Sequence, residues 1–102
     1  MPATYKAQDD KISARTGDTF IVALEGNPTT GYQWELLEDD DKFRLVEKEY
    51  GMPGPGVGAA TTEHFVIEAL EPGSTKLTFK YKRPWETEVL DTKTFELQVK
   101  PA

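Results

Sequence analysis

Apolar and polar residues alternate along this chain with a period of two, and glycine, proline or aspartate breaks the alternation at short intervals. A strand turns successive side chains to opposite faces, so the pattern predicts half-buried strands and not helices. Seven runs are legible. The first covers 11–14 and is closed by Thr16-Gly17-Asp18. The second sets Phe20, Val22 and Leu24 on one face, and the third does the same with Tyr32, Trp34 and Leu36. Beyond an acidic stretch at 38–41 a fourth carries Phe43 and Leu45. A Gly/Pro-rich connection, 51–61, leads to the fifth, with Phe65, Ile67 and Ala69 inward. Glu71-Pro72-Gly73 turns the chain into the sixth, with Leu77, Phe79 and Tyr81, and 83–91 is another long connection. The last run places Phe95, Leu97 and Val99 inward. No segment keeps a helical period, and there is no internal repeat.

Short strands at this density predict an all-β fold: an immunoglobulin-like antiparallel β-sandwich of about seven strands, without the Cys/Trp/Cys hallmark of antibody domains. A barrel is the alternative closure. The length predicts one domain over 1–102, with enough chain for a core and little to spare. If successive strands run antiparallel, their connections alternate between the two ends of the molecule. Connections 25–31, 51–61 and 83–91 then share one end, and the plain turns at Gly17, 39–41 and Pro72-Gly73 share the other. Long loops gathered on a rigid scaffold are where binding function resides.

Composition narrows the function classes. Hydrophobic residues are 37% of the chain, and the 8 glycines bring the apolar share to about 45%, an ordinary globular value that argues against disorder. Eighteen acidic against 12 basic residues give a net charge of −6, which speaks against nucleic acid as a partner. With no cysteine, a thiol nucleophile, a thiolate metal site and a disulfide framework are all excluded. No apolar run is long enough to span a bilayer as a helix, so no membrane partner is expected, and localisation stays open. His64 is the sole histidine, placed outward by alternation, and no Ser/His/Asp set can be assembled with it. Asp39-Asp40-Asp41 lacks the ligand spacing of a calcium loop and reads as a solvated acidic turn. Neither an enzyme nor a cofactor is expected.

The long connections carry unusual residues. In Asn27-Pro28-Thr29-Thr30-Gly31-Tyr32, proline sets one φ, asparagine can bond the backbone ahead of it, and glycine permits φ > 0. This is the composition of a turn held in one shape, either a plain interstrand turn or a pre-organised binding tip presenting Thr29 and Thr30. Proline at the middle position disqualifies Asn27-Pro28-Thr29 as a glycosylation site. Gly56-Val57-Gly58-Ala59, inside the second connection, suits a flexible linker and also suits close backbone approach to a partner. Arg83-Pro84-Trp85 puts a tryptophan on a stiffened corner, either as a cap on the core or as an exposed interface anchor. Lys80, Lys82 and Arg83 make this corner locally basic.

Taken together and in this order, the three loops resemble the chagasin family, proteinaceous inhibitors of papain-like cysteine peptidases with an N-P-T-T-G-[YF] loop, a G-x-G-G loop and an R-P-W loop. The first is complete at Asn27 to Tyr32 and the third at Arg83 to Trp85. The second, Gly56 to Ala59, ends in alanine, and Ala60 and Thr61 are extra before a family-like Thr62-Glu63-His64-Phe65. The resemblance implies reversible, non-covalent inhibition of a papain-like cysteine peptidase by a chain that is a monomer when free. The peptidase-binding residues would be Asn27, Pro28, Thr29, Thr30, Gly31 and Tyr32 in the cleft, flanked by Gly56, Val57, Gly58 and Ala59 and by Arg83, Pro84 and Trp85. The residues also admit a rival: a β-sandwich adhesion or carbohydrate-binding module using the same loop end, with Tyr32 and Trp85 stacked on sugar rings.

Overall fold

The computed structural model describes residues 3–26, 31–38, 40–50 and 61–102. Among these, eight strands and no helix are present: β1 (Thr4–Lys6), β2 (Lys11–Arg15), β3 (Thr19–Gly26), β4 (Gln33–Leu36), β5 (Phe43–Tyr50), β6 (Thr61–Ala69), β7 (Gly73–Lys82) and β8 (Val89–Lys100). They form two four-stranded sheets, ordered β1-β3-β6-β5 and β2-β8-β7-β4. The expected all-β sandwich is observed, with one strand more than the alternation marks. Strand β1 has only three residues, of which Tyr5 alone turns partly inward, too short a run for a period to register. It pairs parallel to β3, and β2 pairs parallel to β8; the other pairings are antiparallel.

The inward faces are the predicted ones. Phe20, Val22, Leu24, Phe65 and Ile67 of the first sheet meet Leu77, Phe79, Phe95, Leu97 and Val99 of the second in one buried cluster. Phe79 lies at its centre, edge-on to Phe65 at 4.9 Å and to Phe95 at 5.7 Å. This geometry sets the positive ring edge against a negative ring face. The third run departs slightly from expectation: Tyr32 precedes β4, although its ring shares a side with Trp34 against Tyr81.

Strand β5 breaks step once. Leu45 faces Ile67, but Glu47 faces Val66, so one residue is inserted at Val46. A bulge shifts the phase of every later side chain. Lys48 therefore sits opposite Phe65, on the inward side, with its ammonium 5.2 Å from the Phe65 ring centre.

The plain turns gather at one end, as expected. Gly17 donates its N–H to Ala69 O at 2.8 Å, Leu70 donates to Lys42 O at 2.8 Å, and the Cβ that Gly73 lacks would meet the Lys42 side chain. Gly17 and Gly73 both have positive φ, at 92° and 137°, which explains glycine at these two turns. The acidic turn is more than solvated charge. Asp40 is half-buried and accepts from the Lys42 N–H at 2.8 Å and from the Thr75 hydroxyl, which ties the β4–β5 connection to β7.

Candidate functional site

At the other end, register brings the loop roots together. Gly26 at the close of β3 pairs with Thr61 at the start of β6, and Tyr50 at the close of β5 pairs with Glu63. In the second sheet Gln33 pairs with Lys82, which also pairs with Val89. All three long connections thus leave from this end. The third is shorter than expected, since β8 begins at Val89.

The site rises from Trp34, which is buried and anchored by its indole N–H donating to Glu25 O at 3.0 Å. Its ring lies 4.9 Å from Tyr81, Tyr81 stacks on Tyr32 at 5.4 Å, and the Arg83 guanidinium sits 4.5 Å above the Tyr32 ring. This column of rings capped by a cation, a favourable order for the ring quadrupoles, runs from the core to the rim. Arg83 is steered further by Glu86, whose carboxylate lies 3.2 Å from the guanidinium and whose N–H donates to Arg83 O at 3.0 Å.

Above this column, Gly31 and Trp85 are in contact. Gly31 has φ +83°, and a Cβ built on it would lie 2.7 Å from Trp85 Cη2 and 3.7 Å from Arg83 Cγ. The bare backbone of Gly31 is what lets the indole lie flush against it. Trp85 is nevertheless 72% exposed, so it does not cap the core. Of its two sequence readings, the exposed anchor is the observed one. Pro84 beside it is exposed as well.

The structure therefore unites Gly31 and Tyr32 with Arg83, Pro84 and Trp85. Asn27, Pro28, Thr29 and Thr30, and likewise Gly56, Val57, Gly58 and Ala59, lie outside the described residues. The basic corner is partly offset by acids: Lys82 is 4.0 Å from Glu35, and Arg83 is paired with Glu86. Among the described residues no three His, Cys, Asp or Glu side chains gather where they could hold a metal ion.

Two further features belong to this end. Leu90 is 61% exposed at the start of β8, a large apolar side chain beside the Trp85 loop that nothing in the alternation flags. Glu63 is an acid only 3% exposed, beneath the loop roots. It is in phase with Phe65, Ile67 and Ala69, so period two does place it inward, and that was the available signal.

Comparison with known proteins finds relatives of this fold over nearly the whole chain. The family model described as "Chagasin family peptidase inhibitor I42" matches residues 13–99. The chain is similar to Amoebiasin-1 of Entamoeba histolytica, 31% identical over 100 residues that cover 97% of each protein, and to Chagasin of Trypanosoma cruzi, 27% identical over 87% of this chain and 86% of that one. In three dimensions it is similar to the crystal structure of the cysteine protease inhibitor EhICP2 of Entamoeba histolytica, with TM-score 0.79, 26% identity and 96% of both chains covered. With the family model spanning residues 13–99 and inhibitors matching nearly the whole sandwich, the assignment follows: the chain belongs to the chagasin family and is a cysteine peptidase inhibitor, not an enzyme.

Proposed function

We propose that this inhibitor acts on papain-like cysteine peptidases by seating Asn27, Pro28, Thr29, Thr30, Gly31 and Tyr32 in the catalytic cleft. Gly56, Val57, Gly58 and Ala59 grip one wall, and Arg83, Pro84 and Trp85 grip the other. A thiol peptidase cuts an extended segment whose carbonyl is presented to the thiolate and held by an oxyanion hole. A closed Pro/Gly turn fills the same space without offering a carbonyl on the attack path, so inhibition is reversible and non-covalent. Three loops are enough to cover about 1,600 Å² in total, the usual size of a protease–inhibitor contact.

The observation that carries this reading is the packing of the exposed Trp85 ring on the Gly31 backbone. It makes the tryptophan corner and the root of the threonine turn one rigid surface, and a rigid surface loses little entropy on binding. The chain works as a single domain and as a monomer, which sedimentation of the free protein checks.

Titration of papain with the inhibitor tests the reading. Competitive, fully reversible inhibition is expected. Trp85→Ala is expected to weaken it by more than about 2 kcal/mol, some 30-fold in Ki, the scale of an interface hot spot. Its thermal melt should stay unchanged because the ring is largely exposed. Equal inhibition by Trp85→Ala and the wild type would remove the anchor.

A further inference from the structure

Resting on the reading just given, we propose that the Glu63 carboxylate is the positioning residue of the inhibitory rim, fixing the root of the 27–30 segment against the root of the 51–60 segment. Both of its oxygens accept the Trp34 N–H, each at 3.2 Å, and one lies 3.0 Å from the Lys48 ammonium. Lys48 in turn donates to Trp34 O at 2.8 Å. On the remaining side is Gly26, where an added Cβ would stand 2.7 Å from the second Glu63 oxygen. Gly26 directly precedes the first segment and Trp34 comes soon after it. Lys48 and Glu63 stand just before and just after the second segment.

One carboxylate is thus in contact with both roots of one loop and tied to both roots of the other. It also joins the two sheets, since Trp34 belongs to the second and Lys48 and Glu63 to the first. The Val46 bulge is what turns Lys48 inward to meet it. Fold stability alone does not account for this arrangement. Glu63 is buried and Lys48 only partly exposed, and an ion pair drawn this far from water loses enough solvation that well-packed apolar replacements often leave a protein equally stable; registry is the best-attested use of such pairs. Here the registry set is that of the loops that bind.

The test replaces the pair with Lys48→Met/Glu63→Met, which leaves no buried charge, alongside Glu63→Gln, which keeps the shape of the side chain. Each variant is measured for papain inhibition and for amide hydrogen exchange well below its melting temperature. Positioning predicts that at least one variant keeps wild-type exchange protection in the core strands. In that variant the Trp34, Gly31 and Tyr32 amides should exchange at least about tenfold faster, and Ki should rise about tenfold through lost pre-organisation. The Trp34 amide shift should also move, having lost its carboxylate acceptor. Wild-type exchange at Gly31 and Tyr32 in a folded variant overturns the proposal, as does exchange that quickens uniformly over the molecule. The exchange measurement reads positioning whether or not papain is blocked. A wild-type protein that leaves papain active would instead count against the proposed function, a separate outcome.

Discussion

Gly31 shows how much one missing methyl group decides. Its φ of +83° lies in the left-handed region, and the space where a side chain would go is filled by the Trp85 ring. Gly31→Ala therefore meets two penalties, a backbone cost of about 1–2 kcal/mol and a clash that must push the indole away. The expected outcome is a lowered melting temperature together with weakened peptidase inhibition, read by calorimetry and a Ki measurement. Trp85→Ala/Gly31→Ala should show less than the sum of the two losses, because the first change removes the partner of the clash. In the sequence, Gly31 was readable as a position needing φ > 0, and Trp85 as either a core cap or an anchor. Their contact was not, since 54 positions separate them in the chain and no local pattern reports on such a pair.

Among the elements, the β4–β5 connection carries a pH-dependent tie. The Asp40 carboxyl is held below its ordinary value of 3.8, chiefly by the Thr75 hydroxyl and then by the Lys42 N–H, against a smaller opposing push from burial. A carboxyl with a lowered native pKa contributes stability that is complete above its unfolded value and fades as the pH falls through the native one. The contribution is thus whole at neutral pH and lost in the acid range below about 4. Asp40→Asn is expected to cost about 1 kcal/mol at pH 7, the worth of such a hydrogen bond. The gap to wild type should close as urea midpoints are followed from pH 7 down to pH 3. The next residue, Asp41, does not share this tie, being exposed. Reading the run as uniformly solvated fails at Asp40 because Thr75 reaches it from β7, an approach that depends on how the sheets stack. The Val46 bulge is a similar case, since period two continued through β5 would have turned Lys48 to solvent.

For the molecule as a whole, the two sheets are held by a core whose centre is Phe79, fully buried and edge-on to Phe65 and Phe95. Phe79→Ala is expected to cost about 3–5 kcal/mol out of a total of about 5–15 kcal/mol for a domain of this size. The urea midpoint should fall sharply with its slope unchanged. Inhibition measured per folded molecule should survive, because Phe79 lies away from the rim.

What the residues determined by themselves is the alternation: which side chains face inward, where the chain turns, and that three loops with distinctive chemistry leave one end. Period two is a local property of an extended backbone, so it is written in neighbouring residues. Tertiary structure alone decided that Trp85 leans on Gly31, that a bulge turns Lys48 inward, and that Glu63 sits where both loop roots meet. Those outcomes depend on how two twisted sheets settle face to face, a matter of contacts between residues distant in the chain.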